Sequence, residues 1–221
     1  MADWVDVSLP LSASTPVWPG NDRFHIKWSR HQDCGGATND SIVTFDLHTG
    51  THVEGPLHVD SAGRGPDHLP VDHLTITVTV VEIDTTAGSI TREVLPPLDD
   101  VKEGVLLKTR NSSANLLNQP DFVEDFCGLE EGAAETLANI SGLRAVGIDY
   151  LSIQSRQASN AVHEVFLQNS ILIIEGLDLR DVSAGTYDMV CLPLLIKGAE
   201  AAPCRVMLKR LECPPYDSER G

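Results

Sequence analysis

No apolar run in the chain approaches the roughly 18 consecutive residues needed to span a bilayer, so no transmembrane helix is expected. The N-terminus, Met-Ala-Asp-Trp-Val-Asp, carries acids where a signal peptide has a basic start and an apolar stretch, so a secretory leader is not expected. Basic residues are scarce: 16 Lys and Arg stand against 32 Asp and Glu, a formal net charge of −16. A surface that acidic repels phosphate backbones and anionic lipid, which argues against nucleic-acid and membrane partners. Aromatic residues make up only 5%, so the 42% hydrophobic fraction must build a mainly aliphatic core. The five cysteines, Cys34, Cys127, Cys191, Cys204 and Cys213, form no CxxC and cannot all pair within one chain. They read as free thiols in a reducing compartment, and a soluble cytoplasmic protein is expected. There is no internal repeat, no low-complexity segment and no composition break, so 1–221 reads as one domain.

What is present is mostly strand. Residues 3–9 read as a short first strand, and Thr15 to Gly20 as a Pro- and Gly-broken loop. Residues 41–48 read as a strand that runs into a His-rich segment. Leu74 to Ile83 is the clearest strand, β-branched at nearly every position with period two. Strands are also expected over 104–109, 143–148, 171–174, 187–196 and 203–211. Short helices are expected over 90–98, 130–141 and 161–169, with Ala133, Leu137 and Ile140 on one face of the second. Helices interleaved with a larger number of strands give a mixed α/β (α+β) domain.

The chemistry concentrates in one segment. His48, His52, Glu54 and His58 fall within eleven residues, punctuated by Gly50, Gly55 and Pro56. If the backbone stays extended, all four share one parity and project to one side. Imidazole and carboxylate together suit zinc, manganese or iron, and the glycines let the backbone turn so that near neighbours converge. A structural zinc site is disfavoured, because those are closed and rich in cysteine. Farther on, His163 opens a short helix. Glu175 ends the apolar strand Ile171 to Ile174, where a carboxylate is costly unless paired or bound to a cation.

Other features are weaker. Cys127 has no local His partner and reads as an inert buried thiol. Gly63-Arg64-Gly65 is too short for a phosphate loop. Asp99-Asp100 reads as a solvated turn, and Arg110 as a structural ion-pair partner ahead of a substrate clamp.

The run His48-Thr-Gly-Thr-His52-Val-Glu54-Gly-Pro56-Leu-His58 resembles the H-x-G-T-H-x-D-x-P-x-H signature of the cyclase family of metal-dependent hydrolases, which includes bacterial kynurenine formamidases and isatin hydrolases. Pro16 to Gly20, Leu107 to Asn111, Val146 to Ser152, His163 and Ile174 to Leu177 are similar to further family blocks, so the resemblance runs from about residue 5 to 210. It implies a swivelling β/β/α fold around a small closed sheet, forming a homodimer or homotetramer. It also implies one or two divalent ions, zinc or manganese. His48 and His52 would hold one, Glu54 would bind or bridge to a second, and His163 and Glu175 would complete that site. His58 would donate and accept protons, and Trp18 would stack on an aryl ring. The implied reaction is hydrolysis of a small aryl formamide, lactam or lactone by metal-activated water. The alternatives on the same fold are a non-hydrolytic cyclase or dehydratase and a silent binding protein. One departure stands out: the family has Asp where this chain has the longer Glu54.

Overall fold

The computed structural model describes residues 4–84, 86, 88–158 and 160–211. Twelve strands and three α-helices are formed among them. The strands are β1 (Trp4–Asp6), β2 (His25–Arg30), β3 (Asp40–Thr44), β4 (His52–Glu54), β5 (Thr75–Glu82), β6 (Ser89–Ile90), β7 (Gly104–Lys108), β8 (Gly128–Leu129), β9 (Ala145–Ile148), β10 (Leu172–Glu175), β11 (Gly185–Pro193) and β12 (Ala201–Arg210). The helices are α1 (Arg110–Ser113), α2 (Glu131–Ala138) and α3 (Ala161–Gln168).

The main sheet runs β1-β12-β11-β5-β7-β9-β10-β4, and β4 also pairs with β12, so all but β1 close into a ring. The steps from β5 through β7 and β9 to β10 are parallel, and the remaining steps are antiparallel. This is the mixed α/β architecture expected from the residues, with the small closed sheet that the family resemblance implies.

Side-chain alternation explains why the parallel strands read as unbroken apolar runs. Leu106, Ala145, Leu172 and Ile174 join Val53, Val78 and Met189 in the cluster inside the ring. Val105, Leu107, Val146, Ile148 and Ile173 point the other way, into a cluster with Ala133, Leu137, Val162 and Phe166 of α2 and α3. Both faces of these strands are therefore dry. β5 alternates buried Ile76, Val78 and Val80 with partly exposed Thr77 and Thr79, the period-two signature of its sequence.

Several elements differ from expectation. The strand expected over 41–48 stops at Thr44. There Asp46 Oδ1 accepts the backbone N–H of His48 at 2.9 Å, and its carbonyl accepts that of Thr49 at 3.0 Å, folding the chain into a turn. The helix expected over 90–98 is a single 3₁₀ turn at Arg92–Val94, because Ser89 and Ile90 pair with Gly128 and Leu129 and prolines 96 and 97 block extension. The helix expected over 130–141 spans only Glu131–Ala138, and Gly142 takes a left-handed φ of 81° just beyond it. The first strand shortens to Trp4–Asp6, and residue 3 lies outside the described residues. β2 was not anticipated: it pairs with β3 in a separate two-stranded sheet.

Candidate metal centre

β4 sits between β10 and β12, and the ladder register places His52 directly opposite Glu175. His52 and Glu54, two apart in one strand, point to the same side. The other two residues of the run arrive by different routes. Gly50, at φ 71°, turns the chain so that His48 folds back over β4. His58 comes from a 3₁₀ turn at Pro56–His58, beyond the end of the strand. The single extended parity expected for all four residues thus holds only for His52 and Glu54. Gly55 has an ordinary φ of −103° and does not serve as a turn; a Cβ there would lie 2.8 Å from the Arg64 carbonyl oxygen, so glycine is required by close approach. The turn before β4 is also locked to the end of β10: Thr51 Oγ1 donates to the Gly176 carbonyl at 2.6 Å.

These routes converge. His48 Nδ1 is 3.0 Å from Glu54 Oε1 and 3.2 Å from His52 Nε2. His52 Nε2 is 3.4 Å from Glu175 Oε2, and His58 Nε2 is 3.6 Å from Glu54 Oε1. His163 Nε2, on α3, is 3.4 Å from both Glu54 Oε2 and Glu175 Oε1. All six residues from the sequence reading are brought together. Ligand atoms of His48, Glu54 and His58 lie within 4.8 Å of one another, as do those of His52, Glu54 and Glu175. Glu54 belongs to both groups, so its extra methylene does not prevent it from reaching either. His48 Nδ1, His52 Nε2 and Glu54 Oε1 also lie within 3.8 Å of one another, close enough for His48 and His52 to share an ion, and His58 stands among the possible ligands as well.

The residues fit a divalent cation. Glu54 and Glu175 are almost fully buried, and Glu54 Oε2 accepts no hydrogen bond. Buried carboxylates side by side cost several kcal/mol unless positive charge offsets them. The far nitrogens of the imidazoles are already engaged. His52 Nδ1–H donates to the Gly50 carbonyl at 3.0 Å, and His163 Nδ1–H to Gln154 Oε1 at 3.0 Å, which leaves each Nε2 free for an ion. His48 Nε2 faces Glu200 at 3.4 Å in the same manner. Gln154 and Glu200 were missed by the sequence reading, because nothing local marks them; only the fold brings them to the imidazoles.

The charges are strongly coupled. Burial lowers the affinity of His52 for a proton, but its contacts with Glu175 and Glu54 outweigh this and push its pKa up to about 10. Burial pushes Glu54 up, but His163, His48, His52 and His58 hold it well below the usual carboxylate range. His58 goes the other way: desolvation, reinforced by its imidazole neighbours, lowers it despite the pull of Glu54. An incoming cation must therefore displace the His52 proton. Protein stripped by chelation should release at least one proton per ion bound at pH 7. Its apparent metal affinity should rise about tenfold per pH unit for each proton displaced, up to about pH 10. Titration in weak buffer with an indicator dye checks this, and a pH-independent affinity would contradict it.

The cluster forms the floor of an open cavity of about 530 Å³, walled by Trp18, Leu151, Val59 and Asn160. Trp18 is fixed by edge contacts with Phe122, 4.8 Å between centroids, and Phe126, 6.2 Å. The features set aside earlier stay outside it. Arg110 pairs with Asp125 at 2.6 Å, and burial beside Asp149 pushes the Cys127 thiol up to about 11, the mark of an inert sulfur.

A closed mixed sheet thus gathers imidazoles and carboxylates able to hold a divalent cation at one open cavity. A family model described as a putative cyclase matches residues 5–155, and the chain belongs to that cyclase family. It is 33% identical to a kynurenine formamidase of Salinibacter ruber (strain DSM 13855 / M31) over 208 residues, 93% of this chain and 96% of that protein. Among solved structures it is similar to a potential metal-dependent hydrolase with cyclase activity, at TM-score 0.81 and 31% identity, covering 96% of this chain and all of that one. It shares the fold, at TM-score 0.77 and 22% identity, of isatin hydrolase A from Labrenzia aggregata bound to benzyl benzoate, over 96% of this chain and 94% of that one.

Proposed function

We propose that the protein hydrolyses the C–N or C–O bond of a small aryl formamide, lactam or lactone at a divalent metal centre. The observation that carries this reading is the meeting of two overlapping donor groups on Glu54 beneath a cavity walled by Trp18. The names of its relatives, a kynurenine formamidase and an isatin hydrolase, support an open-chain or cyclic aryl amide. His48, His52, Glu54, His163 and Glu175 hold one or two ions, and the mixed imidazole and carboxylate donors suit zinc or manganese. A bound ion supplies Lewis acidity and lowers the pKa of water from about 15.7 toward about 7.

The remaining chemistry belongs to the chain. His58, two-thirds shielded and with its pKa lowered, is neutral at pH 7 and so able to take a proton and return it to the leaving nitrogen. Trp18, braced by Phe122 and with the Arg156 guanidinium over its ring at 5.5 Å, lines the cavity where an aryl ring would stack and hold the scissile bond over the cluster. Gln154 and Glu200 keep the imidazoles oriented.

The assembly proposed is a homodimer or homotetramer. The two-stranded β2–β3 sheet leaves Ile26, Trp28, Ile42 and Val43 about half exposed. An isolated hairpin is marginal in water and a second copy would cover it. The proposed location is the cytoplasm, in keeping with four described cysteines that are all free. Among the described residues no helix is long and apolar enough to cross a membrane.

The test is a substrate panel on metal-loaded protein: N-formylkynurenine, formanilide, isatin and an aryl lactone, each beside its non-aryl counterpart. Turnover of at least one aryl compound, exceeding its counterpart by tenfold or more and depressed in Trp18→Ala, supports the reading. No hydrolysis of any compound, with metal bound, would leave the cyclase or dehydratase alternative.

A further inference from the structure

We infer that a second cavity, behind the metal centre, binds a small apolar carboxylate. This cleft of about 290 Å³ lies between the segment 64–73 and the junction of α3 with β10. Its walls include Leu69, Leu167 and Leu172, and its polar side chains are Arg64, His68, His73, Ser170 and the buried Glu54. Glu54 borders both this cleft and the catalytic cavity.

Arg64 is the telling residue. Every other arginine among the described residues has an ion pair or a ring contact. The Arg64 guanidinium has neither, and no hydrogen bond, among the described residues, in a chain with twice as many acids as bases. His73 Nδ1 lies buried in the same cleft without a partner. His68 has only a distant contact, 3.8 Å to Asp67 Oδ2. Arg64 and His68, both open to solvent, and the buried His73 nitrogen place donors at the edge of an apolar cleft, where an anion carrying an apolar body matches them. The planar guanidinium fork accepts a carboxylate in bidentate fashion. The volume sits at the bottom of the range for small-molecule sites, about 300–1,000 Å³, and suits a single ring rather than a fused or two-ring ligand. A benzoate-sized aryl carboxylate meets each requirement. This inference does not rest on the hydrolase reading, since it needs neither a metal nor turnover.

Calorimetric titration of metal-loaded protein with sodium benzoate tests it, with chelated protein and Arg64→Gln run in parallel. Binding is expected in both the loaded and the chelated protein. It should weaken about tenfold or more in Arg64→Gln, the effect of losing a charge-assisted contact. Benzamide, uncharged but of the same shape, should bind more weakly than benzoate. Hydrolysis of formanilide without benzoate should be unchanged in Arg64→Gln, which lies outside the metal cluster. Three results would overturn the inference: no binding to wild type, equal affinity in Arg64→Gln, or binding lost on chelation. The last would mean that the carboxylate sits on the metal in the catalytic cavity.

Discussion

Glu54→Gln should empty the metal centre and lower hydrolysis by at least about 10³-fold. The substitution keeps the volume of the side chain and removes one negative charge from a fully buried position that touches four imidazoles. Glu54 is the one residue common to both candidate ligand groups, so its loss depletes both at once. The rate effect follows from the several kcal/mol of transition-state stabilisation that a bound ion contributes. A folded Glu54→Gln variant, checked by circular dichroism, that retains wild-type metal content would refute the shared role of this carboxylate. The substitution also separates the two explanations of why this chain departs from the family's aspartate. If Glu54 is a working ligand, Glu54→Asp should retain metal and part of the activity. If the position is vestigial, Asp, Gln and Glu should behave alike.

His58→Ala should lower kcat by about 10²–10⁴ while the metal stays in place. That range is the usual contribution of a positioned acid–base group. The residue faces the cavity from a 3₁₀ turn, its side chain about two-thirds shielded, with its pKa depressed by desolvation and by His48 and His163. These are the properties of a group that is neutral at pH 7 and free to shuttle a proton. The competing role is that of a ligand, since its imidazole lies within reach of the ion that His48 and Glu54 could hold. Measuring kcat and metal content on the same preparation separates them. Lost turnover with retained metal assigns proton transfer, whereas metal lost together with turnover assigns ligation.

The residues of this centre were legible in the sequence, but part of the reason was not. The run from His48 to His58 named four of the six, and an extended backbone explained why His52 and Glu54 share a face. It did not explain His48 and His58, which reach the cluster through a glycine turn and a 3₁₀ turn. Glu175 was marked by its cost at the end of an apolar strand, and the register with His52 supplies the compensation. Gln154 and Glu200 left no trace, because an amide or carboxylate in a loop becomes an imidazole's partner only through tertiary folding. The same holds for the second cleft: Arg64 stood in the sequence only as the centre of a glycine pair, and its lack of a partner is visible only once every other described arginine has one. β2 was overlooked because both faces of His25–Arg30 are exposed, so its alternation buries nothing in this chain alone.

The most direct test of the account is metal content per chain, measured by plasma mass spectrometry on protein purified without chelator or affinity tag, beside a His52→Ala control. One or two equivalents of zinc or manganese in the wild type, lost in the control, is the predicted result. A folded wild-type protein that holds no metal even after it is added back would contradict the metal centre and, with it, the hydrolytic reading.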